Sequence, residues 1–175
     1  VPLVVTWHGD WIGATVTRKI LAYSLNELLV KKVLSRANTI IVPSINYVKQ
    51  SKILKRFKEK IIEIPHGIDL EEVKVSISKN ESRALLGLDK DKTLVLYVGS
   101  VRERKGINVL LKAIPKIIRS HKDVMFIIVG GGDIDRFKKM SKELGVSKYV
   151  KFTGYVEEEK KWLYYNSADV FVFPS

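Results

Sequence analysis

Short apolar runs alternate with longer amphipathic segments along the whole chain. The runs are continuously apolar, which is typical of strands that are covered on both faces in a parallel sheet. The predicted strands are Leu3–Thr6, Thr39–Val42, Ile61–Ile64, Leu94–Val98, Val124–Val129, Val150–Phe152 and Val170–Phe173. Between them, apolar residues recur at helical spacing. The predicted helices are Thr17–Arg36, Ile45–Phe57, Ile107–Arg119, Asp133–Leu144 and Glu157–Asn166.

This alternation predicts an α/β fold. Parallel strands need a crossover, and crossovers are almost always right-handed, so we expect open doubly wound parallel sheets. The pattern weakens in the polar stretch "LEEVKVSISKNES". We therefore expect two Rossmann-like domains, residues 1–72 and 93–175, joined by a linker over residues 73–92. Pro115 lies inside a predicted helix and is expected to kink or shorten it.

Composition limits the partners and the cellular compartment that we expect for this protein. The 175 residues are 46% hydrophobic, enough for a sizeable core, and carry a formal net charge of +12, which favours anionic partners such as nucleotide phosphates, nucleic acid or membrane headgroups. The chain has no cysteine, so a disulfide framework is excluded and a cytoplasmic setting is expected. No apolar run approaches the roughly 18 residues that span a bilayer. A single glutamine among many charged residues is typical of a thermophile.

Glycine and polar residues follow almost every predicted strand. In doubly wound sheets, ligands bind outside the carboxyl ends of the strands. Glycines there let the backbone approach a ligand, and a helix that begins just afterwards points its positive end at an anion. The loops contain His8-Gly9-Asp10, Ser44, His66-Gly67, Gly99 to Gly106, Gly130-Gly131-Gly132, Gly154-Tyr155 and Pro174-Ser175. Together they predict a nucleotide-sized site.

The segment "YVGSVRERKG", residues 97–106, brings three basic residues between a strand end and a helix start. Lys105 would meet a diphosphate beside the N-terminus of that helix, so two positive features would act on one anion. The alternative is a solvated turn in which Arg102, Arg104 and Lys105 decorate a basic surface. The position between strand and helix favours the phosphate site.

Seven motifs occur in the order found in one enzyme family. They are "VVTWHG", "ANTIIVPS", "IIEIPHGID", "LYVGSVRERKGINVLLKAI", "FIIVGGG", "YVKFTGYV" and "LYYNSADVFVFPS". The chain resembles the retaining glycosyltransferases of family 4, also called glycosyl transferases group 1. The resemblance implies the GT-B fold, here with parts of both Rossmann-like domains. It also implies transfer of a sugar from a nucleoside diphosphate sugar to an acceptor hydroxyl, with retained anomeric configuration.

The resemblance also implies roles for individual residues. His8 matches a catalytic histidine near the transferred sugar; the alternative is a hydrogen-bonded histidine at a buried strand end. Lys105 matches the lysine that holds the donor diphosphate. The remaining residues of the expected donor site are Gly99, Ser100, Arg104, Gly130, Gly154, Tyr155 and Val156, and the last three fall where backbone groups meet the base.

The chain departs from the family at Ser100, which stands in the place of an arginine. Either Arg102 or Arg104 supplies that charge from a shifted position, or the diphosphate is held with one cation fewer. The family's donor-ribose glutamates and its acceptor loop are expected beyond Ser175 and before Val1, so we expect the chain to be a fragment, inactive by itself. The base (UDP, GDP or ADP), the sugar and the acceptor stay open.

Two other classes of protein are alternatives. A nucleotide-sugar epimerase of the same fold would need no acceptor, and a basic nucleic-acid-binding module would account for the charge. No RNA- or DNA-binding motif is present, so no nucleic acid partner is expected. Asp133 and Asp135 spell a metal-binding pair, but both open a helix, where acidic residues are favoured, and we expect no metal site and no cofactor besides the donor.

One stretch of the chain carries a series of basic residues: Lys49, Lys52, Lys55, Arg56, Lys58 and Lys60. This basic series favours a peripheral location on the inner face of an anionic membrane, where a glycan or lipid-linked acceptor would lie. The alternative is an ordinary solvated helix face.

Overall fold

The structure is a computed structural model that describes residues 1–9, 26–71, 73 and 75–175. The chain divides into two compact units, Val1–Ile68 and Asp69–Ser175. Each contains a parallel sheet, so the predicted α/β fold with two parallel sheets is confirmed. In the described part of the chain, no helix is both long and apolar enough to cross a membrane.

The first unit is built on a three-stranded parallel sheet. Its strands are β1 (Val4–Thr6), β2 (Thr39–Val42) and β3 (Ile61–Glu63), in the order β1-β2-β3. Its helices are a π-helical turn (Asn26–Val30), α1 (Lys31–Arg36), α2 (Ile45–Gln50) and a 3-10 segment (Leu54–Lys60). The buried centre of this unit contains Leu34, Ile40, Val42, Val48 and Leu54. The part of the predicted helix at residues 17–25 lies outside the described residues.

The predicted helix from Ile45 to Phe57 is wrong at its C-terminal half, because α2 ends at Gln50. Ser51 leaves the helical conformation, and its hydroxyl accepts a hydrogen bond from the Leu54 N–H at 3.2 Å. A serine that binds the backbone in this way competes with the helix and starts a new turn. The beginning of α2 is conventional, since the Ser44 hydroxyl accepts from the Asn46 N–H.

The second unit has a four-stranded parallel sheet with helices on both faces. Its strands are β4 (Thr93–Val98), β5 (Val124–Val129), β6 (Val150–Gly154) and β7 (Val170–Phe171), in the order β6-β5-β4-β7. Its helices are α3 (Lys79–Leu85), α4 (Ile107–Ser120), α5 (Ile134–Glu143) and α6 (Glu158–Ser167). Along β5, Phe126 and Ile128 belong to one core cluster and Ile127 and Val129 to another, so both faces are covered.

The strand order of the second unit creates a topological switch point. The chain builds outward from β4 through β5 to β6 and then crosses back to place β7 on the other side of β4. The strand order therefore reverses between β4 and β7, and such a reversal opens a crevice at the carboxyl edge of a doubly wound sheet. This edge is where a ligand site is expected on physical grounds.

The structure bears on two further expectations from the sequence. Residues 79–85, assigned to a linker, form α3, whose N-terminus has a capping box: the Ser78 hydroxyl accepts from the Glu81 N–H, and the Glu81 carboxylate accepts from the Ser78 N–H. Hydrogen bonding of the Glu81 carboxylate with the side chain and the backbone N–H of Ser78 lowers the pKa of Glu81. Pro115 does not shorten its helix, because α4 continues through this residue to Ser120.

One partly buried ionic network ties α3 to the sheet. Arg83 is 4% exposed, and its guanidinium donates to the Asp169 carboxylate at 2.6 Å and to the carbonyl oxygens of Ser167, Lys90 and Lys92. Asp169, at the start of β7, also accepts from the Leu94 N–H at 2.7 Å. The network thereby fixes β7 beside β4 and holds the segment before β4 in place.

The pKa of Asp169 gives the network a measurable signature. Burial pushes this pKa up, but hydrogen bonds from Leu94 N–H, Lys79 and Arg83, with the charge of Arg83, outweigh it and lower the pKa from 3.8 to about 2. Because the folded-state pKa is below the unfolded value, the carboxylate contributes stability above pH 3.8 that is lost as the pH falls toward 2.

We expect Asp169→Asn in the full-length protein to lower the free energy of unfolding at neutral pH by about 3 kcal/mol, because it leaves Arg83 buried without a counter-ion. The difference in unfolding free energy between the wild type and the variant should shrink as the pH is lowered from 3.8 to about 2. Denaturant unfolding at a series of pH values measures both effects. Asp89→Asn, which breaks an exposed 3.9 Å ion pair with Lys92, is the matched control and should change little. Equal losses in the two variants would contradict the prediction.

Candidate functional site

A cavity of about 430 Å³ lies at the carboxyl edge of the second sheet. Three strand ends and the first turns of α6 form its walls. The lining residues are Val98, Gly99 and Ser100 after β4, Val129, Gly130 and Gly131 after β5, and Tyr155, Val156, Glu158 and Lys161 after β6. Five of the residues predicted for the donor site therefore line one cavity: Gly99, Ser100, Gly130, Tyr155 and Val156. Gly154 lies next to it, since its carbonyl oxygen accepts from the Gly130 N–H at 2.8 Å.

The cavity floor depends on close backbone packing after β4 and β5. A Cβ on Gly130 would lie 1.9 Å from the Gly99 carbonyl oxygen, and one on Gly132 would lie 2.4 Å from the Val101 carbonyl oxygen. Both glycines also have φ angles, +135° and +140°, that side chains disfavour. The first and last glycines of the run "GGG", Gly130 and Gly132, are therefore needed for the close approach of the two loops.

Hydrogen bonds continue between these loops beyond the ends of the strands. The Gly99 N–H donates to the Val129 carbonyl at 3.0 Å, and the Val101 N–H donates to the Gly131 carbonyl at 2.8 Å. The Asp133 N–H returns a bond to the Val101 carbonyl at 2.8 Å. The loops are thus an ordered extension of the sheet, which gives the site a preformed floor.

The basic turn, residues 102–106, comes directly before α4. It lies beside the cavity and does not line it. Glu103 pairs with Arg136 at 2.8 Å, so the only carboxylate of the turn is engaged outside it. Among the residues that the structure describes, Arg102, Arg104 and Lys105 form no ion pair with a carboxylate. Burial raises the pKa of Tyr97, and the charge of Arg104 opposes that rise, so this cation acts on the strand end.

The turn packs against the end of β7. The Lys105 ammonium lies 5.1 Å from the centre of the Phe173 ring. A Cβ on Gly106, which has a φ of +73°, would lie 2.3 Å from the Pro174 carbonyl oxygen. The turn therefore sits at the switch point between β4 and β7, with the N-terminus of the 14-residue helix α4 directly behind it.

Two residues of the cavity wall were missed by the sequence interpretation. Glu158 and Lys161, one turn apart on α6, form an ion pair at the cavity. Glu158 and Glu159 also lie in the first turn of α6, where acidic residues are favoured. The spacing of three residues between Glu158 and Lys161, beside "GYV", was the signal that could have placed them at the site.

The candidate residue of the first unit is His8, which follows β1. Its ring is exposed and stacks on His66, which follows β3, with ring centres 5.9 Å apart and planes within 1°. Because β2 lies between these strands, the two imidazoles meet across the end of β2. The sequence analysis named His66 only among the residues that follow predicted strands and gave it no role of its own.

The acidic pair Asp133 and Asp135 lies at the start of α5. Asp133 is the residue that precedes the helix, and Asp135 lies in its first turn. No group of three or more histidine or acidic residues that could hold a metal ion occurs among the residues described.

Comparisons with known proteins agree with this architecture. The family model "Glycosyl transferases group 1" matches residues 78–175. The O-antigen chain mannosyltransferase C of Escherichia coli is 30% identical over 174 residues, covering 98% of this chain and 43% of the relative. The phosphatidyl-myo-inositol mannosyltransferase of Mycobacterium tuberculosis is 34% identical over 115 residues, covering 65% of this chain and 28% of the relative. The structure of sucrose-phosphate synthase from Thermosynechococcus elongatus aligns with a TM-score of 0.77 at 26% identity, covering 98% of this chain and 44% of that protein.

The chain contains two parallel Rossmann-like sheets, and 98% of it aligns with the sucrose-phosphate synthase structure. These two findings place its fold in the GT-B class of glycosyltransferases. Within that class, the chain belongs to the glycosyl transferases group 1, which is glycosyltransferase family 4. The resemblance identified from the seven motifs is thereby confirmed. The chain spans less than half of the length of these relatives.

The close approach at Gly130 gives a direct test of the cavity floor. We expect Gly130→Ala in the full-length protein to cost about 2 kcal/mol of unfolding free energy or to prevent folding, because the new methyl group collides with backbone that has little room to move. Thermal unfolding and nucleotide titration measure the effect. Gly131→Ala is the matched control, since its Cβ would find only the Tyr155 Cβ at 4.0 Å. If both alanines were tolerated alike, the floor would not depend on this contact.

Proposed function

We propose that the full-length protein is a retaining glycosyltransferase that moves a sugar from a nucleoside diphosphate sugar to an acceptor hydroxyl. The observation that carries the proposal is the cavity of about 430 Å³ at the switch-point edge, beside a turn with three cations that have no carboxylate partner among the described residues. Family membership supports the use of a nucleotide-sugar donor. We expect no cofactor and no required metal ion.

The donor would lie along the carboxyl edge of the second sheet. Its base would meet backbone groups of Gly154, Tyr155 and Val156, with the Glu158–Lys161 pair beside it. Its diphosphate would follow Gly99 and Ser100 toward Lys105 and the N-terminus of α4. In this arrangement Arg104, whose charge acts on Tyr97, would supply the cation that the family pattern has at Ser100.

The chemistry follows from where charge develops. As the bond between the sugar and the diphosphate breaks, negative charge grows on the leaving diphosphate. Fixed cations and a helix N-terminus stabilise that charge more in the transition state than in the ground state, which lowers the barrier. His8, exposed at the edge of the first sheet, would contact the transferred sugar.

The donor site can be tested by calorimetric titration of the full-length protein with UDP, GDP and ADP. We expect one nucleotide to bind, and Lys105→Ala to weaken its affinity about tenfold or more, because a charge-assisted contact to the diphosphate is lost. Lys112→Ala, which removes an exposed lysine on α4, is the matched control. Binding of no nucleotide, together with tight salt-sensitive binding of an oligonucleotide, would overturn the proposal.

We further propose that the protein works at the inner, cytoplasmic face of an anionic membrane. The names of two relatives, an O-antigen chain and a phosphatidyl-myo-inositol mannosyltransferase, favour a glycan or lipid-linked acceptor. Lys49, Lys52, Lys55 and Lys58 are exposed on the first unit. Lys60 instead binds the C-terminal end of α1. Its ammonium donates to the carbonyl oxygens of Ser35 at 2.6 Å and Ala37 at 2.9 Å.

Sedimentation with vesicles of phosphatidylcholine and phosphatidylserine tests the membrane proposal. At low salt the full-length protein should pellet with the vesicles, and the double variant Lys52→Gln/Lys55→Gln should bind at least about tenfold more weakly. The control Lys112→Gln/Lys116→Gln removes the same charge from exposed positions of the second unit. Protein that stays in the supernatant at low salt, or equal losses in both double variants, would remove the proposal.

A further inference from the structure

We propose that Phe173 is a positioning residue that holds the ammonium of Lys105 for the donor diphosphate. The inference rests on the proposed function, in that it takes Lys105 as the diphosphate contact. Phe173 lies two residues beyond the end of β7, and no property of its motif "FVFPS" marked it as part of the site.

The contact between the two side chains is a cation–π interaction. The Lys105 ammonium lies 5.1 Å from the ring centre of Phe173, within the range at which a ring face attracts a cation. Lysine has a flexible four-carbon stem, so an unrestrained ammonium must be ordered when a ligand binds. A contact that restrains it beforehand reduces this entropic cost.

Phe173 itself packs against the end of β4. Its ring stacks on the fully buried Tyr97, with ring centres 5.7 Å apart and planes within 7°. It also lies next to Gly99, where a Cβ would lie 3.4 Å from the Phe173 Cε2 atom. Gly99 lines the cavity, so Phe173 connects the lysine with the cavity wall.

An aromatic partner leaves the charge of Lys105 available. A carboxylate at this place would neutralise the ammonium and repel a diphosphate. The ring face attracts the ammonium more weakly and accepts no proton from it, so the cation keeps its full charge. Glu103, the nearest acidic residue in the sequence, pairs with Arg136 instead. The arrangement orients the ammonium and leaves its positive charge without a neutralising carboxylate.

The test is titration of the full-length Phe173→Leu variant with UDP, GDP and ADP and with the corresponding nucleosides. We expect the affinity for the diphosphate that binds to fall about fivefold, because the orientation of the ammonium is lost. The nucleoside affinity should not change, since a nucleoside carries no phosphate. Phe173→Tyr keeps a ring face and should restore diphosphate binding. If Phe173→Leu does not fold, Phe173→Met replaces it.

Phe171→Leu is the matched control. Phe171 is 49% exposed and Phe173 is 47% exposed, and their rings stack on each other with centres 6.3 Å apart. Among the residues that the structure describes, no cation lies over the Phe171 ring. This variant removes a neighbouring aromatic ring of the same exposure and should leave diphosphate affinity unchanged.

The double variant Lys105→Ala/Phe173→Leu separates this inference from the proposed function. If Phe173 acts through Lys105, the double variant should bind no more weakly than Lys105→Ala alone. Additive losses, or an equal loss of nucleoside affinity in Phe173→Leu, would overturn the positioning role while Lys105 keeps its own. An unchanged affinity in Lys105→Ala would instead overturn the diphosphate site itself, and the positioning role with it.

Discussion

The second unit depends on the contact between the backbones of Gly99 and Gly130. Parallel strands diverge where their hydrogen bonds end, but here the ladder between β4 and β5 continues into the loops through Val101 and Gly131. This is possible only without a side chain at Gly130, where a Cβ would lie 1.9 Å from the Gly99 carbonyl oxygen. The cavity floor, the direction of α5 and the position of the basic turn all follow from this approach.

A second constraint works at the opposite end of the strands. Asp169 accepts from the backbone of Leu94 and from the buried guanidinium of Arg83, so it joins the start of β7 to β4 and to α3. Because β7 is fixed beside β4 at this end, its other end delivers Phe173 and Pro174 to the turn that contains Lys105 and Gly106. The ionic network and the candidate site are thus connected through one short strand.

The sequence predicted the elements whose signals are local. The strands β4, β5 and β6 were placed within two residues of their observed ends, because each is a continuous apolar run between turn residues. The helix α3 was missed, although Ser78 and Glu81 spell a capping box, because its short polar sequence has no apolar periodicity. The contacts of Phe173 with Lys105 and of His8 with His66 join residues far apart in the chain, and no local pattern contains them.

Under the proposed function, the cations of the basic turn would meet the donor diphosphate. Like charges close together repel one another, and Arg102, Arg104 and Lys105 lie within four positions. The turn could have been neutralised by Glu103, but that carboxylate is drawn away by Arg136 at 2.8 Å. Backbone packing at Gly106 and the ring of Phe173 then fix the turn instead of ion pairs. A site that is held rigid by uncharged contacts, and keeps its charge unpaired, is suited to an anion that supplies the missing partner.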